Sequence, residues 1–193
     1  MKVNTLNIFR SISIIGYMYF CYLILVVPKI EPQWEGYPDV NDCRVQSEAD
    51  LVSLDFYAPK PRMWFFPRPF TVPLFFKIVD SDPYKMAMLQ KFVYCICVIS
   101  LLVTLLNYID QKKLKIITLY TLLFFFTWWN IMGWSNLPLS ESLSISLMLL
   151  WFSSILFYYK EQGSLSFITL IIVSFFFRLQ EIPGLTLYFR FLY

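Results

Sequence analysis

Residues 82–109 read DPYKMAMLQKFVYCICVISLLVTLLNYI. The first two residues predict a helix start, because aspartate is a preferred N-cap and proline fits the first helical position. No proline or glycine follows, so this helix is expected to continue without a break to Ile109. Its part from Phe92 onward carries no charged side chain and approaches the length of about 20 apolar residues that crosses a bilayer.

Further apolar runs lie on both sides of this helix. With 92–109, the predicted spans are residues 11–27, 116–134, 143–159 and 164–179. The chain is 58% hydrophobic, 20% aromatic and 15% charged, whereas a soluble domain carries about 25% charged residues. We therefore predict an all-α, polytopic membrane helical bundle of about five transmembrane helices, forming a single domain over residues 1–193.

The basic residues indicate the sidedness of the bundle. Lys2 and Arg10 precede the first span, which places the N-terminus in the cytoplasm by the positive-inside rule. The inner turns 110–115 and 160–163 carry further lysines, and Gly163 in the second turn is available as the C-cap of the preceding helix. The short outer turn 135–140 carries no lysine or arginine. The first apolar run exceeds the about 7 to 15 residues of a signal-peptide core, and no small-residue cleavage site follows. We therefore expect an uncleaved anchor rather than a signal peptide.

The polar stretch 28–90 becomes a large first extracytoplasmic loop in this topology. It holds nine of the thirteen acidic residues. Asn41 or Asp42 is expected to cap a short helix running toward Leu54. A second short helix is expected from Thr71 to about Val79, with a proline near its first turn. The apolar residues of this second helix are expected to lie on or against the membrane.

Composition excludes several kinds of chemistry. The chain has no histidine, which excludes Ser/His/Asp and Cys/His catalysis and removes the commonest metal ligand. The net charge of +3 is too small to suggest nucleic acid as a partner. Three cysteines lie in apolar runs and Cys43 is alone in the loop, so no disulfide framework is predicted. The acidic loop could hold a divalent cation through oxygen ligands, but no spacing is diagnostic, and no metal ligand is assigned.

Ionisable residues at three places on the outer side form the candidate site. Asp39 and Asp42 follow the first span, Glu141 opens the fourth, and Arg178 ends the fifth with Glu181 nearby. Ionisable groups at the edge of a span are costly unless they face a cavity or a partner. Because the predicted topology brings all three places to one membrane face, we expect them to share a site.

Each of these residues also has a purely structural interpretation. Asp39 and Asp42 could be solvated turn or cap residues. Glu141 could sit in a first helical turn for the favourable dipole, and Arg178 could extend to the interface. The loop's basic residues, Lys60, Arg62 and Arg68, could balance its acids or contact anionic headgroups.

Four sequence features occur together, in order and on one side of the predicted membrane. They are Pro38-Asp39, RPFTVPLFFK at 68–77, LSESLS at 139–144 and the arginine that closes the fifth run. This pattern resembles the N-terminal part of the GT-C superfamily of membrane glycosyltransferases, which includes protein mannosyltransferases and the aminoarabinose transferase. These enzymes use polyprenyl-phosphate sugars as donors.

The resemblance implies specific roles. Asp39, with Asp42 as the second choice, would be the catalytic base that accepts the proton of an acceptor hydroxyl. The acceptor oxygen would attack the anomeric carbon, and lipid phosphate would leave with inversion. Positive charge at the leaving phosphate would come from Arg62, Arg68 or Arg178, and Glu141 would orient the acceptor or another loop group. The resemblance also implies that both short helices of the loop are interfacial and lie along the membrane. The sugar and the acceptor stay open.

Family members are longer, with more spans and often a soluble C-terminal domain. We therefore expect this chain to be a fragment, or half of an assembly completed by further spans or a partner chain. The alternative is a non-catalytic accessory subunit or degenerate remnant that binds lipid or a partner. A transporter is disfavoured because the predicted spans carry no ionisable residue in their middles.

Overall fold

A computed structural model describes residues 14–22, 38–48, 71–128 and 140–181 of the chain. These residues form helices and turns and contain no strand, which confirms the all-α prediction for the part of the chain described. The helices are α1 (residues 14–22), α2 (Pro38–Ser47), α3 (Thr71–Ile78), α4 (Pro83–Tyr108), α5 (Lys112–Thr127), α6 (Ser140–Glu161) and α7 (Ser164–Glu181).

Helix α4 begins as the sequence predicts. Oδ1 of Asp82 accepts hydrogen bonds from the backbone N–H groups of Tyr84 at 2.8 Å and Lys85 at 3.2 Å. Pro83 follows the cap and loses no helical hydrogen bond there, because the first N–H groups of a helix have no partner within it. The helix then continues without a break to Tyr108, so both the start and the continuity of α4 are confirmed.

Helix α3 also matches its predicted position, from Thr71 to Ile78. A tight turn joins it to α4. Asp80 and Ser81 in this turn have φ values of 57° and 58°, in the left-handed region that aspartate tolerates better than most residues. The backbone N–H of Ser81 donates to the carbonyl oxygen of Phe76 at 2.7 Å, which closes the end of α3.

The predicted start of α2 was wrong. The helix begins at Pro38 rather than after a cap at Asn41 or Asp42, which both lie inside it. Proline explains the earlier start, since its fixed φ suits the first turn and its missing N–H costs nothing there. Leu54, toward which the helix was expected to run, lies outside the described residues.

The turn between α6 and α7 corrects a second prediction. Gly163 was expected to end α6 as a left-handed C-cap, but Gln162 takes that conformation, with a φ of 48°. Gly163 instead precedes α7. Its N–H donates to Oγ of Ser166 at 3.2 Å, and the same hydroxyl donates to the Gly163 carbonyl oxygen at 2.8 Å.

Helices α4 and α6 lie side by side and run in the same direction. The Oγ atoms of Ser100 and Ser153 are 2.8 Å apart near the middle of the pair. Further along both helices, Nζ of Lys160 donates to the carbonyl oxygen of Asn107 at 2.9 Å. From the first contact to the second, the residue number rises on both helices. The helices are therefore parallel, and their N-terminal ends lie together.

Helix α7 returns antiparallel along α6. Nε1 of Trp151 donates to Oγ of Ser174 at 3.0 Å, whereas the later residue Tyr158 contacts the earlier residue Phe167, with ring centroids 5.6 Å apart. The C-terminal end of α7 therefore lies beside the N-terminal end of α6. The start of the predicted span 143–159 therefore lies next to the end of the predicted span 164–179.

Helix α1 packs against α4 and α5. The rings of Phe20 and Tyr94 have centroids 6.2 Å apart. Gly16 allows a close approach to α5, because a Cβ at this position would meet Cδ1 of Leu123 at 3.0 Å. Tyr94 connects the same region to the end of α5 by donating its hydroxyl to the carbonyl oxygen of Phe126 at 3.0 Å.

Two helices among the described residues are long and apolar enough to cross a membrane. They are α4 over Pro83–Tyr108 and α6 over Ser142–Glu161. The apolar part of α7, Ser164–Phe177, is shorter. Helix α5 begins at Lys112, inside the predicted basic turn, and ends at Thr127; residues 129–134 of the predicted third span lie outside the described residues.

Candidate functional site

Helices α2 and α3 pack onto the N-terminal ends of α4 and α6. Apolar side chains from all four helices form one buried cluster, which we call the end cluster: Val40, Cys43, Val72, Phe76, Met86 and Leu143. Phe76 and Met86 have no exposed surface, and burial of side chains of this size contributes about 1.5–3 kcal/mol each. The acidic loop therefore contributes two of its helices to the folded core.

A side-chain contact fixes α2 to the turn before α4. The Oγ atoms of Ser47 and Ser81 are 2.9 Å apart, although the residues are far apart in sequence. Ser47 also donates its hydroxyl to the carbonyl oxygen of Arg44 at 2.6 Å. The left-handed φ of Ser81 belongs to the turn that makes this contact, so the conformation of the turn and the position of α2 depend on each other.

The helices that form the end cluster also carry buried polar side chains. Asp42 and Gln46 on α2 have no exposed surface, and Thr71 and Ser142 are 1% and 2% exposed. Asp42 and Gln46 both interact with other residues. By contrast, Oγ1 of Thr71 and Oγ of Ser142 have no hydrogen-bond partner among the described residues. Each lies in the first turn of its helix, α3 or α6.

The structure brings the positions of four predicted site residues to one end of the bundle. Asp39 and Asp42 lie in the first half of α2, and Glu141 is the second residue of α6. Arg178 lies in the last turn of α7, whose C-terminal end lies beside the start of α6, and α3 contacts α7. The predicted convergence of these segments therefore holds at the level of the backbone.

The remaining predicted site residues, Arg62 and Arg68, lie outside the described residues. Sequence reasoning also missed members of this region. The sequence predicted Thr71 only as a helix start and Ser142 only as part of LSESLS, and it gave no role to Lys91, which is 8% exposed. A lysine directly before the uncharged run from Phe92 was an available signal, because ionisable groups at the edge of a span are costly unless they face a cavity or a partner.

The unpartnered hydroxyls at this end suit hydrogen-bond donation. Within the described residues, no group of three or more His, Cys, Asp or Glu side chains could hold a metal ion. Asp42 has no exposed surface, so its carboxylate is enclosed by the protein. The unpartnered hydroxyls of Thr71 and Ser142 can donate hydrogen bonds to a bound group without giving up one inside the protein.

Searches of protein-family models, curated protein sequences and solved structures find no match for this chain.

Proposed function

We propose that the chain is a GT-C-like membrane glycosyltransferase, or the N-terminal module of one. It transfers a sugar from a polyprenyl-phosphate donor to an acceptor hydroxyl, with inversion, on the extracytoplasmic face. The observation that carries this proposal is the packing of α2 and α3 onto the N-terminal ends of α4 and α6. This packing holds the acidic helix α2 beside the start of α6, which carries Glu141. Helix α7, which carries Arg178 in its last turn, contacts α3.

In the proposed arrangement, the bundle crosses the membrane about five times. Helices α4 and α6 support this proposal by their length and composition. Large apolar side chains exposed on α5 and α7, such as Phe124 at 65% and Leu165 at 72%, would be covered by lipid. The N-terminus and the lysines at the α4–α5 turn are cytoplasmic, and the end cluster is extracytoplasmic.

The chemistry assigned to this site requires few groups. Asp39 accepts the proton of the acceptor hydroxyl, and the oxygen of that hydroxyl bonds to the anomeric carbon of the sugar. The bond from that carbon to the lipid phosphate breaks, and the phosphate takes the electron pair. Arg178, with Arg62 or Arg68 from the loop, stabilises the developing negative charge. Glu141 orients the acceptor, and Asp42, being enclosed, positions α2 rather than reacting.

The decisive test is Asp39→Asn in the natural full-length protein, assayed with a labelled polyprenyl-phosphate sugar. Loss of a general base is expected to lower the transfer rate by at least about 100-fold, with an unchanged unfolding temperature. Glu48→Gln is the matched control, since it makes the same carboxylate-to-amide change at an exposed residue directly after α2. Normal transfer by Asp39→Asn would remove Asp39 from the mechanism.

The second candidate is a non-catalytic subunit that binds lipid or a partner chain. The complete burial of Asp42 favours it, because an enclosed carboxylate is not available to a substrate. This candidate predicts no sugar transfer by the full-length protein and unchanged partner binding in both Asp39→Asn and Glu141→Gln. Transfer activity that depends on Asp39 would exclude it.

A further inference from the structure

The end of the bundle opposite the end cluster carries a group of lysines. The α4–α5 and α6–α7 turns lie close together there, because Nζ of Lys160 donates to the carbonyl oxygen of Asn107. The same Nζ lies 5.7 Å from the ring centroid of Tyr108. Contact with a carbonyl in the last turn of α4 is favourable for a cation, so the structure holds the Lys160 charge at this end.

Three further lysines lie at the start of α5, and we call these residues with Lys160 the lysine end: Lys112, Lys113, Lys115 and Lys160. Lys112 and Lys113 are exposed and Lys115 is half-buried. The first turn of α5 contains no acidic residue, and Gln111 makes no side-chain capping hydrogen bond. Cations at the N-terminus of a helix are unfavourable, so folding of α5 alone gives no reason for this placement.

Lysines outnumber acidic residues in the two turns that form the lysine end. The acids in the two turns and at the adjoining helix ends are Asp110 and Glu161, both exposed. Four lysines and two acids leave a local charge of +2. This positive balance favours an anionic partner.

The lysines lie at the border of an apolar surface. Leu114 is 47% exposed and Ile117 is 61% exposed, directly among and after the lysines of α5. Lysine stems can cover apolar surface while the amine extends to a polar layer. A partner for this border must therefore offer apolar chains on one side and negative charge on the other, as a phospholipid does.

We propose that the lysine end binds the headgroups of acidic phospholipids. Each lysine near such a surface contributes about fivefold in affinity at moderate ionic strength. This inference goes beyond the proposed enzymatic function and does not depend on which side of the membrane the lysine end occupies. The lysine end lies at the end of the bundle opposite Asp39. Loss of lipid binding should therefore leave sugar transfer intact, and loss of sugar transfer should leave lipid binding intact.

The test uses the full chain in nanodiscs of phosphatidylcholine with a minor fraction of spin-labelled phosphatidylglycerol or spin-labelled phosphatidylcholine. The ratio of the two association constants is measured by electron paramagnetic resonance at 0.05 and 0.5 M salt. The variant is Lys112→Gln with Lys113→Gln. The matched control is Lys77→Gln with Lys85→Gln, which removes two exposed lysines at the end-cluster side.

The wild-type chain is expected to prefer phosphatidylglycerol at low salt and to lose most of that preference at high salt. The variant should reduce the low-salt preference by at least about fivefold, and the control should reduce it by less than about twofold. An unchanged preference in the variant would overturn the proposal, and so would equal reductions in variant and control. Failure of the chain to enter nanodiscs would instead contradict the membrane arrangement under Proposed function, together with this proposal.

Discussion

Buried hydroxyl groups in the middle of the α4–α6 interface have hydrogen-bond partners, whereas two of those at its N-terminal end have none among the described residues. In the middle, Oγ of Ser153 lies 2.8 Å from Oγ of Ser100 and 3.0 Å from Oγ1 of Thr104. At the end, the hydroxyls of Thr71 and Ser142 are equally buried but have no partner among the described residues. The same kind of side chain therefore joins helices in one region and is left available in the other.

This difference bears on where the candidate site lies. A buried polar atom without a partner costs about 1–3 kcal/mol, and native proteins contain few of them. Departures from local optimum are expected mainly at functional sites. The unpartnered hydroxyls therefore support placing the candidate site at the N-terminal end rather than within the interface.

The largest stability effect is expected when the end cluster loses one of its central side chains. Met86 has no exposed surface, so Met86→Ala should lower the free energy of unfolding by about 2–5 kcal/mol. Met88, two residues along on the same helix, is 50% exposed, and Met88→Ala should change it by less than about 0.5 kcal/mol. Chemical unfolding of the detergent-solubilised protein, followed by tryptophan fluorescence, measures both. Equal effects would mean that α2 and α3 do not pack on α4 as described.

Removing the cap of α4 should have a smaller effect. Asp82→Ala loses two hydrogen bonds to backbone N–H groups and is expected to cost about 1 kcal/mol. Asp82→Asn should be close to neutral, because asparagine caps helices as well as aspartate. The same unfolding measurement separates the two variants. A loss in Asp82→Asn as large as in Asp82→Ala would show that the carboxylate charge, and not the cap, stabilises this end.

Much of the fold could be predicted because local signals determine it. The starts of α3 and α4 follow from proline and capping chemistry, and the course of α4, α6 and α7 follows from their apolar runs. Two local predictions failed where more than one neighbouring residue could start or end a helix. Pro38 starts α2 ahead of Asn41, and Gln162 takes the left-handed conformation expected of Gly163. In both cases a neighbouring residue met the same backbone requirement.

The site was less predictable than the helices. The order of the spans predicted that the segments carrying Asp39, Glu141 and Arg178 would meet at one end, and the helix arrangement agrees. The burial of Asp42 and the unpartnered hydroxyl of Ser142 could not be predicted, because both depend on how α2 and α3 pack on α4 and α6. Contacts between residues far apart in sequence leave no periodic pattern in either segment.

Removing one hydroxyl from the hydrogen-bonded group in the middle of the α4–α6 interface tests whether these hydroxyls stabilise the fold. Ser153→Ala removes a hydroxyl shared by Ser100 and Thr104 and is expected to cost about 1 kcal/mol, in the range measured for bonds between membrane helices. Ser154 is the matched control: it is also buried, but its hydroxyl donates only to the Leu150 carbonyl oxygen within α6. Ser154→Ala should therefore be nearly neutral. Equal costs would show that the contacts between the helices add nothing beyond burial.

The smallest stability effect is expected for Ser142→Ala. This variant tests whether the unpartnered hydroxyls at the N-terminal end mark a binding site. Because Oγ of Ser142 is buried without a partner among the described residues, its removal should leave the free energy of unfolding unchanged or raise it by up to about 1 kcal/mol. If the hydroxyl donates to a substrate, the same variant should lower sugar transfer about 10-fold, which corresponds to the loss of one hydrogen bond in the complex. Ser146→Ala, which removes a buried hydroxyl already bonded to the Ser142 carbonyl oxygen, should leave transfer unchanged. A marked loss of stability in Ser142→Ala would mean that its hydroxyl has a structural partner, and the contrast between the two regions would no longer mark a site.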